Sequence, residues 1–165
     1  MKLSKRGEYA LRALIHLGLA QEMGRPLLQA RELARRENIP VKFLEQILGQ
    51  LKDAGHLGSK RGAAGGYFLR KAMDKVMIGD VVRLIDGPLA PIPCVSRTAY
   101  HGCSCPDEDH CGLRILMLDV RNAIAGILDR HSLADVVEVT LRKIRRDGVP
   151  ASHWQGRPPA ARRGR

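Results

Sequence analysis

The chain has 165 residues, of which 44% are hydrophobic, and its formal net charge at pH 7 is +11. This length and hydrophobic content predict one domain with a full core, or one compact domain plus an extension, and exclude a wholly disordered chain. No apolar run approaches the roughly 18 residues of a membrane span. Charged residues follow closely after Met1 in place of a signal-peptide core, so we expect a cytoplasmic protein with no membrane partner.

The positive charge is concentrated at the C-terminal end. Between Arg142 and Arg165 there are eight basic residues and one acidic residue. An excess of this kind is typical of proteins that bind polyanions, but here most of it lies in the tail, so local patterns must support nucleic-acid binding elsewhere. After Gly148 the sequence consists largely of Pro, Gly, Ala and Arg without periodicity, which predicts disorder.

Three helices are predicted in the first third of the chain. Apolar side chains recur at helical spacing over residues 5–21 and again over the short segment Ala30–Glu37. Pro40 suits the first turn of a third helix, because its missing N–H would have no helical partner there, and Gly55 ends that helix. The apolar face of the third helix consists of Leu44, Ile47, Leu48 and Leu51.

A basic hairpin is predicted directly after the third helix. Residues 56–61 and 66–70 have the pattern of two short strands, and the small residues at 62–65 form the turn between them. Short helices joined by a tight turn and followed by a hairpin define the winged variant of the helix-turn-helix. We therefore predict a mainly α-helical fold with a small β-hairpin wing, which forms a DNA-binding domain.

The third helix has a polar face that suits recognition of double-stranded DNA. In a major groove, Glu45 can accept a hydrogen bond from a cytosine N4 group and Gln46 can bond an adenine edge. Lys42 on the same helix, with Lys60 and Arg61 on the wing, would contact phosphates and supply affinity without sequence information. The alternative for Glu45 and Gln46 is solvation on an exposed helix face.

The second half of the chain begins with a long loop and continues in two helices. Residues 88–110 are rich in Pro, Gly, Ser and Cys and show no period. A nearly unbroken apolar stripe then runs from Leu113 to Leu128; it is too long for this small domain to cover, which predicts a dimerisation helix, with packing inside one subunit as the alternative. Residues 132–135 form a capping-box motif that opens a last helix ending near Ile144.

All four cysteines lie within 18 residues, in the pattern Cys94-x8-Cys103-x-Cys105-x5-Cys111. In a chain without a secretory signal, such a group is more typical of a metal or cluster site than of structural disulfides. Structural zinc usually shows two C-x2-4-C pairs, which this pattern lacks. A cluster tolerates wider spacing, because its irons lie farther apart than the ligands of one ion. Zinc, an iron–sulfur cluster, a regulatory disulfide and no ligand all stay open on spacing alone.

Six motifs are spread along the chain. They are Met-Lys-Leu-Ser-Lys at the start, Phe43-Leu44-Glu45-Gln46, Arg61-Gly62-x-x-Gly65-Gly66-Tyr67, Asp80-Val81-Val82, Asp86-Gly87-Pro88 and Leu133-Ala134-Asp135. Together they resemble a family of winged-helix bacterial regulators that includes IscR, NsrR, RirA and CymR. The resemblance runs from residue 1 to about 145 and implies a homodimeric DNA-binding regulator, not an enzyme, with an iron–sulfur cluster of the 2Fe–2S or 4Fe–4S type. Members similar to CymR carry no cluster and lack the cysteines present here.

The resemblance also implies which thiols hold the cluster. The three ligand positions of the family match Cys94, Cys111 and one of the middle pair. Members commonly leave five residues between the second and third ligands, which favours Cys105 over Cys103. Cys103 is then an alternate ligand or a disulfide partner in the cluster-free protein.

The fourth ligand is implied to come from the partner subunit. Members similar to IscR have a histidine three residues after the last cysteine, but Arg114 stands there and stays protonated. Members similar to NsrR use an acidic residue of the partner's first helix, and Glu8 occupies the matching position. Cys103, His101 and His110 are competing candidates, and Glu8 is alternatively an ordinary solvated carboxylate.

With these assignments the chain divides into four predicted segments: a winged helix-turn-helix domain at 1–87, a cysteine-rich cluster-binding loop at 88–111, a dimerisation helix and C-terminal helix at 112–146, and a basic tail at 147–165. The predicted function is transcriptional repression, with an iron–sulfur cluster that senses iron, nitric oxide or redox state and changes operator affinity. The alternatives are a cluster-free thiol or zinc redox switch on the same fold and, ranked below it, an iron–sulfur electron carrier or enzyme.

Overall fold

The computed structural model describes residues 3–149. Within them, six α-helices and one antiparallel hairpin form the regular structure, with short 3-10 turns at Met73–Lys75 and Pro93–Val95. The predicted helical fold with a β-hairpin wing is therefore confirmed. In chain order the elements are α1 (Lys5–Glu22), α2 (Ala30–Glu37), α3 (Val41–Asp53), β1 (Leu57–Lys60), β2 (Gly66–Leu69), α4 (Ile78–Asp86), α5 (Gly112–Leu128) and α6 (Leu133–Arg146).

Helix α1 lies at the centre of the hydrophobic core. One of its faces is closed from solvent and packs against the buried face of α3, whose apolar spacing predicted that contact. The buried side chains of both faces are at most 1% exposed: Ala10, Ala13, Leu14 and Leu17 on α1, and Leu44, Ile47, Leu48 and Leu51 on α3. The helix that would enter DNA is thus held by its whole apolar face.

The first turn of α1 is fixed to the end of α4. Ser4 caps α1 by accepting a hydrogen bond from the Gly7 N–H at 3.0 Å. The Asp86 carboxylate accepts bonds from the Ser4 backbone N–H at 2.8 Å and from its hydroxyl at 2.5 Å. This clamp sets the position of the first helical turn, which carries Glu8.

Helix α6 returns to the core and packs against α1. The predicted capping box is present: Ser132 Oγ accepts from the Asp135 N–H, and the Asp135 carboxylate accepts from the Ser132 N–H at 2.8 Å. Leu133 and Val137 are buried against α1. A Cβ on Gly18 would lie 2.7 Å from Val137 Cγ2, so the close approach of the two helices requires glycine there.

Helix α5 covers its own subunit with one face only. Ala125 and Leu128 pack on a small core of Ile78, Val82 and Leu89. Arg121 is the one buried residue of the helix. The opposite face carries large apolar side chains that are more than half exposed, namely Leu113, Leu116 and Ile127, with Ile115 beside them.

No helix within residues 3–149 has the length and apolar character needed to cross a membrane. Helix α6 ends at Arg146, two residues beyond the predicted end, and Gly148 follows at a φ of 61°. The predicted disordered tail falls, from residue 150 onward, outside the described residues.

Candidate nucleic-acid interface and thiol cluster

Helices α2 and α3 meet at a tight turn that leaves the polar face of α3 in solvent. Asn38 ends α2 in the left-handed conformation with φ 52°, which asparagine tolerates better than most residues. Lys42, Glu45 and Gln46 are all exposed on α3. The structure therefore presents together the three side chains of this helix that the sequence predicted to face DNA.

The wing presents the two predicted basic side chains at its tip. Lys60 ends β1 and Arg61 opens the turn, and both are exposed. A Cβ on Gly65 would lie 2.2 Å from the Lys60 carbonyl oxygen, so only glycine lets the turn close this tightly. The hairpin register pairs Lys60 with Gly66 and Leu57 with Leu69.

The wing is anchored beside the start of α2. Leu28 and Tyr67 exchange two backbone hydrogen bonds, at 3.0 and 2.8 Å. The Gln29 side-chain amide donates to the Ala63 carbonyl at 2.8 Å. These bonds border an open groove of about 500 Å³, which Arg31 shares with the basic wing tip. Sequence reasoning missed Gln29 and Arg31, although Arg31 lies on the opposite side of α2 from the buried Leu33 and Ala34.

A chain of charged side chains links α1 to the end of α2. Arg12 pairs with Glu8 at 3.3 Å, and its Nε donates to Glu37 Oε2 at 3.0 Å. Arg12 also donates to the Glu37 backbone carbonyl. The other carboxylate oxygen of Glu37 lies 2.6 Å from Nδ1 of the buried His16. Side chains of α1 therefore hold the last residue of α2, directly before the turn that leads into α3.

Electrostatics favour the ionised forms of Glu8 and Glu37. Burial opposes ionisation of Glu37, but hydrogen bonds and charge from His16 and Arg12 outweigh it and hold its pKa below the ordinary value. The pKa of Glu8 is lowered first by a hydrogen bond from Lys5, 2.8 Å away, and further by Arg12. Within its own subunit, Glu8 is thus an ionised side chain paired with two cations.

The cysteine loop gathers its thiols beside the start of α5. Cys94 is buried in the 3-10 turn at Pro93–Val95, Cys103 and Cys111 are partly buried, and Cys105 is exposed. Cys105 lies near enough to Cys103 and Cys111 for both to raise its pKa. The loop therefore brings three of its thiols close together, as the prediction of a shared site requires.

These contacts change the proton affinities of the thiols. The hydrogen bonds to Cys103 and Cys111 raise the pKa of Cys105 to about 12. The Arg114 backbone N–H, free at the start of α5, outweighs burial and lowers the pKa of Cys111. Burial, followed by the charges of Cys103 and Glu108, raises the pKa of Cys94. Cys111 is thus the thiol of the loop whose ionisation its surroundings promote.

Other polar side chains of the loop pair with one another. Glu108 accepts from the Tyr100 hydroxyl at 2.8 Å and lies 3.1 Å from Arg114 Nε. The His110 ring nitrogen contacts Asp107 at 2.6 Å, and its side chain is 85% exposed. His101 is exposed as well. The sequence reasoning considered Arg114 only as a missing ligand, whereas the structure pairs it with Glu108.

Residues 3–149 contain no group of three His, Cys, Asp or Glu side chains arranged to hold a single metal ion. The pKa shifts link Cys105 to Cys103 and Cys111, and Cys94 to Cys103, so the four thiols influence one another within the loop. Cysteine sulfur is the ligand that soft metals and iron–sulfur clusters use. The donor set therefore fits an iron–sulfur cluster in kind.

A tight α2–α3 turn, an exposed polar helix face and an anchored basic wing define a winged helix-turn-helix transcriptional regulator. The family model described as "Rrf2: Iron-dependent Transcriptional regulator" matches residues 3–139. An Rrf2-like helix-turn-helix transcriptional regulator of Rhodobacter capsulatus is 42% identical over 139 residues, which cover 82% of this chain and 91% of that protein. The chain belongs to the Rrf2 family.

Solved structures agree with this membership. The global cysteine regulator CymR of Bacillus subtilis superposes with a TM-score of 0.68 at 29% identity, over 84% of this chain and 98% of CymR. IscR of T. potens gives a TM-score of 0.64 at 26% identity, over 85% of this chain and 88% of that one. The resemblance predicted from the sequence motifs is therefore confirmed, and the relatives named here are transcriptional regulators.

Proposed function

We propose that this Rrf2-family protein is a homodimeric repressor that holds an iron–sulfur cluster in its cysteine loop and changes its operator affinity with the state of that cluster. The observation that carries the proposal is the group of four free cysteines, mutually linked in their pKa values, in the loop that leads into α5. When bound, such a cluster supplies a centre that reacts with oxygen, nitric oxide or iron-withdrawing agents.

DNA recognition is assigned to α3 and the wing. Glu45 and Gln46 would read base edges in the major groove, because both are exposed on the face of α3 that points away from the core. Lys42, Lys60 and Arg61 would contact phosphates. Arg31 joins this set, since it lines the groove beside the wing tip.

The cluster ligands are assigned to Cys94, Cys105 and Cys111, with Cys103 as the alternate thiol. Cys111 supports this assignment most strongly, because the free N–H groups at the start of α5 stabilise its thiolate. The buried Cys94 anchors the other end of the loop. The loop 88–111 thus binds the cofactor between the DNA-binding domain and the dimerisation helix.

The homodimer is assigned to the outward face of α5. Leu113, Leu116 and Ile127 are between 54% and 56% exposed, and a continuous apolar stripe of this length is typical of a subunit interface. Glu8 of one subunit is proposed as the fourth ligand in the other. In the present structure that carboxylate pairs with Lys5 and Arg12, which would keep it ionised and available.

The chain Glu8–Arg12–Glu37 offers a route from the ligand to the DNA-reading helix. If Glu8 served as a ligand of the partner's cluster, Arg12 would lose one of its two carboxylate partners. Arg12 would then bind Glu37 alone, and Glu37 is the last residue of α2. Because the turn at Asn38 follows directly, a shift of Glu37 would move the start of α3. Arg12 would thus have two arrangements, one bound to both Glu8 and Glu37 and one bound to Glu37 alone, and ligation by Glu8 would favour the second.

Cysteine substitution tests the proposal. Protein purified without oxygen should be brown, and Cys94→Ala, Cys105→Ala and Cys111→Ala should each lose iron, sulfide and visible absorbance. Cys103→Ala is the matched control and should keep them. A Cys111→Ala protein with a full complement of iron and sulfide would contradict the assignment.

The thiol contacts also favour a second candidate, a cluster-free thiol switch on the same DNA-binding fold. Cys105 lies close enough to Cys103 and Cys111 for both to raise its pKa, and one of those pairs would close a disulfide when an external oxidant accepts two electrons and the two thiol protons leave. Protein of this kind would be colourless and metal-free when purified without oxygen. Its operator affinity would change with a thiol-specific oxidant and return with a dithiol reductant.

A further inference from the structure

A small cavity lies behind α5, on the side away from its exposed apolar stripe. Helices α4 and α5 and the segment 88–98 enclose a volume of about 130 Å³. Pockets for drug-sized ligands span roughly 300–1,000 Å³, so this one has room only for a few non-hydrogen atoms. Its charged and polar walls are Arg83, Ser96, Arg97, Thr98, Arg121 and Asp129.

Arg121 is the most unusual of these walls. It is 8% exposed, and its Nε is closed from solvent without a hydrogen-bond partner in the described part of the chain. No carboxylate among residues 3–149 forms an ion pair with it. A buried guanidinium without a counter-charge is costly, and proteins almost always pair such groups. The fold thus holds a largely buried cation that has no ion-pair partner among residues 3–149.

The acidic groups nearby are already engaged. Arg83 binds Asp129 through two hydrogen bonds, at 2.8 and 2.6 Å, and contacts Asp80 at 3.4 Å. Asp129 is therefore neutralised by Arg83, while Arg97 adds a second positive charge near Arg121. Burial first, and repulsion from Arg97 second, lower the pKa of Arg121. The cavity is a positive site that its own carboxylates do not balance.

We propose that this cavity binds a small oxyanion, with the Arg121 guanidinium as its main partner and Arg97 and the Ser96 hydroxyl beside it. Guanidinium matches the planar pairs of oxygens in sulfate, phosphate and carboxylate groups. The shared chemistry is one oxyanion group, which can be inorganic or the carboxylate of a small metabolite.

The position of the cavity gives such an anion a consequence for the thiol loop. Ser96 lies two residues after Cys94, and both are buried. An anion that binds Arg121 and Ser96 together would fasten the segment of Cys94 to the middle of α5, the helix that begins beside Cys111. Anion binding at Arg121 and Ser96 does not require the proposed cluster, because neither residue is among the proposed cluster ligands.

The experiment measures anion binding by the full-length protein, purified without oxygen. Sodium sulfate, phosphate and acetate are titrated separately at constant ionic strength against sodium chloride, with the Tm and the Nε–H resonance of Arg121 as readouts. A site filled at about 100 times its dissociation constant should raise the Tm by about 5–10 °C. Arg121→Gln should abolish the saturable rise, and without oxyanions it should be at least as stable as the wild type, because it removes an unpaired buried charge.

The matched control is Arg142→Gln, an exposed arginine of α6 with a side chain 66% accessible, which should respond as the wild type does. A saturable response to sulfate or phosphate identifies an inorganic ligand, and one to acetate alone identifies an organic carboxylate; both support the site. Ser96→Ala and Arg97→Gln should weaken binding severalfold and serve if Arg121→Gln does not fold. A Tm rise that never saturates and is equal in Arg121→Gln, or an Arg121 resonance that does not move, overturns the proposal.

Discussion

Glu37 and Arg121 are both charged side chains removed from water, and the fold treats them differently. The Glu37 carboxylate is 12% exposed and is met by Arg12 on one oxygen and His16 on the other. Arg121 has no counter-charge among residues 3–149. A paired buried charge contributes little net stability but is costly to break, whereas an unpaired one is costly as it stands. Substitutions of the two residues should therefore act in opposite directions.

Glu37→Gln should lower the free energy of unfolding at pH 7 by about 1–3 kcal/mol, since the amide has no negative charge to pair with Arg12 and only one acceptor oxygen for the contacts with Arg12 and His16. The pKa of Glu37 in the folded protein lies below its ordinary value of 4.5. Its contribution is therefore fully present above pH 4.5 and is lost as the pH falls through the folded value. Urea unfolding between pH 7 and pH 3 should show the difference between wild type and Glu37→Gln narrow at the acid end.

Glu45→Gln is the control for that series, because Glu45 is exposed on α3 and no ion pair involves it among the described residues. Its stability should follow the wild type at every pH. If Glu37→Gln were as stable as the wild type at pH 7, the contacts of Glu37 with Arg12 and His16 would contribute nothing to the free energy of unfolding.

At the scale of elements, the wing is held by backbone contacts while its charges stay free. Leu28 and Tyr67 join it to the segment before α2, and Gln29 binds its tip. Lys60 and Arg61 form no ion pair in the described part of the chain and are exposed. A rigid hairpin with unpaired cations at its tip is suited to phosphate contacts. Such contacts contribute more to the free energy of binding when the hairpin loses little conformational entropy.

The double variant Lys60→Gln/Arg61→Gln should bind operator and unrelated DNA more weakly by a similar factor. The slope of log K against log salt concentration should become shallower by about 0.9 for each phosphate that the variant no longer neutralises. Fluorescence anisotropy at several salt concentrations measures both quantities. Lys75→Gln, which changes an exposed lysine paired with Asp74, should leave the slope as it is. An unchanged slope in the wing variant would remove the wing from the interface.

Helix α1 contacts more elements of the fold than its sequence pattern predicted. Its apolar face packs on α3, its Gly18 receives α6, and its N-terminal turn is bound to Asp86 of α4. Its polar face carries Glu8, Arg12 and His16. A change at the start of this helix can therefore reach the DNA-reading elements without crossing a flexible segment.

At the scale of the whole molecule, local patterns predicted the elements and missed the contacts between them. The bounds of α2, the capping box at Ser132 and the hairpin follow from capping, periodicity and turn chemistry. The Arg12–Glu37 pair spans 25 residues and belongs to no periodic pattern. The burial of Arg121 was equally hidden, since arginine is a residue type that is mostly exposed.

In the candidate site, too, the local features were predictable from the sequence and the long-range contacts were not. The thiols and the basic wing were predictable because cysteine spacing and hairpin charge are local signals. The side chains that lie beside the thiols and the wing were not predictable from the sequence. Arg114 pairs with Glu108, and Arg31 joins the groove beside the wing, only because distant segments fold together.

Coupling between the cluster and DNA binding is measured as the operator dissociation constant of the protein with its cluster loaded and with its cluster removed, both without oxygen. Operator DNA is selected from a random-sequence pool, separately with each form. We expect a brown protein whose affinity changes at least about tenfold between the two forms, equivalent to about 1.4 kcal/mol of coupling.

Two variants of Glu8's partners extend the measurement to the proposed route. Arg12→Gln should still load the cluster but lose most of the change in affinity, because Arg12 alone joins Glu8 to Glu37. Lys5→Gln, which changes a residue that pairs with Glu8 but does not reach Glu37, should keep the change. A colourless protein, or a brown one that binds the operator equally well in both forms, would contradict the account.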